Sequence, residues 1–326
     1  MLGLAQLFAG RLVKAAAILI TIVVLNFLLV HAAPGDPAMV MAGEAGAADE
    51  QFVAQLRAQF GLDRPLTEQL ATYVGKVVQG DLGYSYRQQR PVWDILWERL
   101  PATLLLTLTA FLLSLALGVL LGAFAAVQVG RWSDSAITVL ALLAYATPIY
   151  WTGLMLSLLF AVELGWLPAF GYETIGAGYT GLDHALDVAR HMVLPVVTLA
   201  LFYMAAYARL TRASMLEVRG QDFVKTARAK GLGPLRIETR HVLRNAILPV
   251  ITVAGIQAGQ LVGGSILIET VFAWPGIGRL AFEAVLQRDY QVLLGIFLVT
   301  SVMVILFNIL TDLLYGLIDP RIQVAR

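Results

Sequence analysis

Four histidines, His31, His184, His191 and His241, and no cysteine are what this chain offers for acid–base, nucleophilic or metal chemistry. None of the histidines has an H-E-x-x-H companion, the spacing that puts two imidazoles on one helix face to hold zinc. No G-x-S-x-G elbow presents a serine nucleophile, and the lack of cysteine removes thiolate catalysis, thiolate metal sites and disulfides together. Paired intramembrane aspartates, the other route to an enzyme within lipid, are not found either. A G-x-x-x-x-G-K-[ST] loop, whose backbone would cradle nucleotide phosphates, is missing, so energy for any work comes from a gradient or from a partner.

What remains is one polar segment too patterned to be slack, Gln221 to Val250. Asp222 is placed to cap a short helix by accepting backbone N–H bonds, Phe223 and Ala227 share a face of it, and Gly231-Leu232-Gly233 ends it. Pro234 then suits the first turn of a second helix. Lys225, Thr226, Arg228, Ala229 and Lys230 complete a helix–turn–helix that a second protein can push on. Gly231 is expected to supply a turn of positive φ, which glycine adopts cheaply.

The elements that must hold this segment follow from composition. The chain has 326 residues, 59% hydrophobic and 14% charged, which marks a polytopic membrane protein. Charge-free stretches at Ala15–Ala33, 100–130, 135–162, 191–208, 245–268 and 290–311 each approach or exceed the roughly 20 helical residues that cross hydrocarbon. The expectation is an all-α bundle of six transmembrane helices. The first span follows Arg11 and Lys14, and Val30-His31-Ala32 resembles a signal cleavage site, but its apolar run is longer than a signal core. Between Arg209 and Arg244 stand nine Lys/Arg against Glu217, Asp222 and Glu238, whereas Glu163 to Arg190 holds one Arg and four acids. The basic loop is therefore read as cytoplasmic, which puts both termini on the same side.

Residues 34–99 fall outside. Phe52, Val53, Leu56 and Phe60 share one helical face before Gly61, and Leu70, Tyr73 and Val77 repeat the pattern between Thr67 and Gly80, so two short amphipathic helices are expected. Gly118 and Gly122, and Gly255, Gly259 and Gly263, space small residues four apart for close helix packing. Gln257 and Gln260 on the fifth span either bond a neighbouring helix or line a wet pathway. No span holds a charge centrally; Glu269 and Asp312 are read as lying near an interface. A proton-coupled carrier would be expected to bury a carboxylate, though sodium coupling can be built from neutral oxygens.

Ala227-Arg228-Ala229-Lys230-Gly231-Leu232 followed by Leu243-Arg244-Asn245-Ala246-Ile247-Leu248-Pro249 resembles the "EAA" loop of ABC importer permeases. The resemblance narrows to the first (B-type) permease subunit of the dipeptide, oligopeptide and nickel branch. Pro34-Gly35-Asp36-Pro37, Gly61-Leu62-Asp63-Arg64-Pro65-Leu66, Gly80-Asp81-Leu82-Gly83 and Arg99-Leu100-Pro101-Ala102-Thr103-Leu104 carry it in the first third. Glu269-Thr270-Val271-Phe272, Trp274-Pro275-Gly276-Ile277-Gly278, Arg288-Asp289-Tyr290 and Tyr315-Gly316-Leu317-Ile318-Asp319-Pro320-Arg321 carry it to the end. The chain departs from the general consensus in having Lys225-Thr226-Ala227 for Glu-Ala-Ala, and from its own branch in having Gln291 where proline is common.

The resemblance implies a type I ABC importer permease fold: residues 1–33 an N-terminal span, 34–99 an extracytoplasmic segment, 100–318 the five-helix core with the coupling loop at 209–246, and 319–326 a cytoplasmic tail. It implies a subunit of the bacterial inner membrane that works by alternating access and binds no cofactor itself. Its partners would be a second homologous permease, two ABC ATPases carrying ATP and Mg, an external solute-binding protein and lipid, with no nucleic acid. Asp222, Lys225, Thr226, Ala227, Arg228, Ala229, Lys230, Gly231 and Gly233 would form the ATPase-coupling site, with Gln257 and Gln260 lining a pathway. A gradient-driven carrier is the alternative from another transport class, and an intramembrane enzyme the alternative from another class of function.

Overall fold

Long apolar helices dominate the computed structural model, which describes residues 16–29, 31, 39, 49–60, 63–262 and 266–318. The chain divides into two compact units, Met1–Pro101 with Gly276–Ile305, and Ala102–Pro275 with Leu306–Arg326.

In the first unit, helix α1 (Ala16–Leu29) is followed by α2 (Glu50–Phe60) and α3 (Leu66–Val78), the two short helices expected of the external segment. His31 bonds the Phe27 carbonyl through Nδ1 at 2.8 Å and Gln69 Oε1 through Nε2 at 3.0 Å, so this histidine ties α1 to α3. A two-residue hairpin, β1 (Tyr84–Ser85) with β2 (Arg90–Pro91), was not anticipated. Its buried Ser85 hydroxyl donates to Asp289 Oδ2 at 2.5 Å, while Asp289 Oδ1 accepts from the Val292 N–H. That carboxylate thus caps the last helix and pins the hairpin, a double use that offsets the cost of burying it. Leu82, Val92, Ile95 and Leu96 pack with Ile277, Leu280, Val292 and Ile296 to form this unit's core.

The second unit takes α4 (Val92–Val127) from Ala102 onward, then α5 (Trp132–Ala146) and α6 (Ile149–Ser157), which runs on through a π-helical stretch to Glu163. Next come α7 (Gly181–Arg219), α8 (Asp222–Ala229), α9 (Pro234–Arg236), α10 (Arg244–Val262) and α11 (Ile266–Val271). Helix α12 (Ile277–Gln287) belongs to the first unit, and α13 (Tyr290–Ile318) closes the chain. Helix α7 packs against α5, α6, α10 and α11. The small-residue reading holds on α4: a Cβ on Gly118 would meet Tyr207 Cβ at 2.5 Å, and one on Gly122 would overlap the Ala208 carbonyl oxygen. On α10, a Cβ at Gly255 would overlap Thr311.

Three expectations change. Among the described residues four helices are long and apolar enough to cross a membrane, and the stretch read as a straight third span is the pair α5–α6, bent by 102° at Thr147-Pro148. Proline lacks the N–H to continue the ladder and drives Thr147 to extended backbone (ψ 133), which breaks the helix there. The fourth span is no minimal 18-residue helix but 39 residues long, about 58 Å at 1.5 Å per residue. Glu269 is fully buried, not interfacial: Thr103 Oγ1 donates to its Oε1 at 3.0 Å, and nearby Trp274 Nε1 donates to the Ala102 carbonyl at 2.8 Å. The Asp312 side chain lies outside the described residues.

Candidate functional site: a helical elbow on the basic side

The helix–turn–helix is present as α8, a four-residue turn and α9, which continues through a π-helical stretch (Ile237–Leu243) into α10. The first eleven residues of the expected loop, from Arg209 to Arg219, are instead the last turns of α7. The cap of α8 also differs. Gln221 holds the N-cap position with no side-chain bond, and Asp222, one residue later, pairs with Lys225 Nζ at 2.8 Å. Both side chains are largely exposed, so this pair contributes little stability.

Val224 and Ala227 are the buried face of α8, whereas Phe223 points outward. They join Ala126 from the end of α4, Met215 and Val218 from α7, Ile237 and Val242 from the π-helical stretch and Ala246 from α10. The turn is a Schellman motif: the Gly231 N–H donates to the Arg228 carbonyl at 2.9 Å and the Leu232 N–H to the Ala227 carbonyl at 3.3 Å. Gly231 has φ +75, as expected of it, and Leu232 packs back onto the same cluster. Gly233 is different, an extended N-cap with φ −65 ahead of Pro234. Phe223, Lys225, Thr226, Arg228, Ala229 and Lys230 are left exposed, a basic face on a firmly seated knob.

What seats the knob was missed in the sequence. Arg219 at the end of α7 donates through Nε to Glu238 Oε2 at 3.0 Å and through Nη1 to the Ala126 carbonyl at 2.5 Å. One guanidinium thus joins α7, the π-helical stretch and the last turn of α4, where a cation also complements the helix dipole. Further up α7, Arg212 makes a bidentate bond to the buried Asp134 (2.6 and 2.8 Å), which also accepts from the Gly130 N–H. Charge counting treats these arginines as topological markers. Only the isolated acid Glu238 among bases hinted at a specific partner.

Of the two glutamines, Gln257 is half-buried, with its Oε1 enclosed and without a partner among the described residues. The Gln260 side chain lies outside the described residues.

Residues 118–324 match the family model described as "binding-protein-dependent transport system inner membrane component", and residues 4–107 match that of the N-terminal part of such membrane components. The chain is 42% identical over 335 aligned positions to the dipeptide transport system permease protein DppB of Escherichia coli K12, covering 98% of each. It is 41% identical to the di/tripeptide transport system permease protein DppB of Pseudomonas aeruginosa UCBPP-PA14, covering 94% of this chain and 95% of that one. A solved structure of the MetNI methionine ABC transporter in an inward-facing conformation is similar with TM-score 0.55 at 18% identity, over 70% of this chain and 97% of its own. That likeness concerns the fold.

Proposed function

This chain belongs to the family of binding-protein-dependent transport system inner membrane components, and from that premise we propose that it carries short peptides across the membrane. It is a multi-pass inner-membrane permease subunit of the ABC importer class, and the family implies ATPase and solute-binding partners. In the proposed complex it pairs with a second homologous permease, two ABC ATPases that hold ATP and Mg, and an extracytoplasmic solute-binding protein. Both termini and the α8–α9 elbow face the cytoplasm, with α1, α4, the α5–α6 pair, α7, α9 with α10, and α13 as the crossings.

The observation that carries this reading is the elbow itself: an exposed basic face on α8 whose other face is locked under the ends of α4, α7 and α10. ATP binding would draw the ATPases together and push on Asp222 to Gly233. Because α8 cannot slide on a packed core, the push would pass into α7 and α10 as a change in their tilt, opening the pathway outward to accept solute. Hydrolysis would reset it. Gln257 is assigned to the pathway wall, where its unbonded oxygen would meet water or a peptide N–H; Gln260 shares that assignment from its place in the sequence.

Purification of the tagged chain from its host membrane, with mass spectrometry of what accompanies it, tests the assembly. Recovery of a second permease and Walker-motif ATPases, with dipeptide uptake that requires ATP, supports the reading. A chain that transports alone on an ion gradient overturns it in favour of a secondary carrier.

A further inference from the structure

Two arginines one turn apart on α7 reach toward α5, and the structure treats them unequally. Arg212 is neutralised by Asp134. Arg209 meets no carboxylate among the described residues. Its guanidinium carbon lies 4.6 Å from the centre of the Tyr145 ring, and its Nε is buried with no acceptor. Tyr145 is held from behind by Phe202, stacked at 5.4 Å and 15°, which meets Tyr203 edge-on.

Position sharpens the contrast. Along α5, Tyr145 stands eleven residues beyond Asp134, about 16 Å at 1.5 Å per residue. It immediately precedes the Ala146-Thr147-Pro148 break. The Arg209 head therefore points away from the basic end of α7, into the apolar part of the bundle. An arginine stays charged there and is costly without a counter-charge. The ring face offsets part of that cost, but the fork of N–H donors remains suited to a planar anion.

We propose that Arg209, steadied by Tyr145, is a transient binding site for the carboxylate of the solute in transit. The proposal rests on the peptide-import reading, since every unmodified peptide ends in a carboxylate that the guanidinium can grip through two parallel bonds. Tyr145 is 46% exposed and Arg209 itself is part-buried, so the pair borders open surface from which an anion can approach the guanidinium away from the ring.

The test uses the assembled importer with its binding protein and ATPases in proteoliposomes. A photo-crosslinking p-benzoylphenylalanine replaces Ala146, which is exposed beside Tyr145. During ATP turnover a radiolabelled dipeptide is expected to form an adduct there. The yield falls at least tenfold in Arg209→Gln and partly returns in Arg209→Lys, with the variant complexes assembling to the same extent as the parent. A second measurement needs no altered arginine: unlabelled dipeptide competes for the adduct, whereas its C-terminal amide, at equal occupancy of the binding protein, does not. Adduct yields indifferent to Arg209 and to the amide, or crosslinks to the second permease instead of the peptide, overturn the site while peptide import stands. Absence of peptide uptake by the parent importer overturns both.

Discussion

Two glycines two residues apart in the elbow have opposite tolerances, because only one has a backbone that a side chain resists. Gly231 sits at φ +75 with open space around it, so substitution there is opposed by backbone strain of about 1 kcal/mol or more rather than by a clash. Gly231→Val is expected to lower uptake severalfold at normal membrane level, and Gly233→Ala to leave uptake within twofold; equal behaviour of the two in a transport assay would refute the turn's role. Arg219 supports a larger expectation. Arg219→Ala removes charge-assisted bonds to Glu238 and to the Ala126 carbonyl, a loss of roughly 2–3 kcal/mol. It should lower the Tm of the detergent-solubilised complex and raise the ATP hydrolysed per peptide imported. The glycine was readable from sequence because its type implies its conformation. Arg219 was not, because its partners lie 19 and 93 residues away along the chain.

At the scale of elements, the packing of α4 on α7 hangs on two missing side chains. Gly122→Ala would set a methyl against the Ala208 backbone oxygen, which cannot rotate aside as a side chain can. About 1–3 kcal/mol of destabilisation is expected, seen as lower folded yield from membranes, whereas Gly75→Ala on α3, with nothing within 4 Å of its Cβ, should be silent. The hairpin makes a parallel case: Ser85→Ala leaves one oxygen of the buried Asp289 without its bond and is expected to cost about 1–3 kcal/mol, checked by proteolysis of the 81–91 segment. Hydropathy located α4, α10 and α13 well, since each is a long apolar run, and found α7 only by its charge-free middle, 191–208, because charges flank it on both sides. It read α5–α6 as one straight span because a window average does not register a bend, although Pro148 was in view.

For the whole molecule, the expectation is dependence on others: reconstituted alone, the chain should import no peptide under any ion gradient, and ATP-driven uptake should appear when the ATPases and binding protein are added. Sequence by itself determined the class of this protein. Apolar runs dictate membrane helices whatever their packing, the basic bias is the basis of the orientation proposed for them, and motifs such as Gly231-Leu232-Gly233 have local conformational preferences that survive any context. Tertiary structure alone decided which charges are structural. Arg212, Arg219 and Arg209 look alike in a basic loop, yet among the described residues one meets Asp134, one Glu238 and a helix end, and one an aromatic face without a carboxylate. The same holds for Glu269, apparently interfacial in the sequence and fully enclosed beside Thr103 in the fold. Burial and ion pairing depend on which distant segments meet, and a single sequence carries that only through the packing of the folded chain.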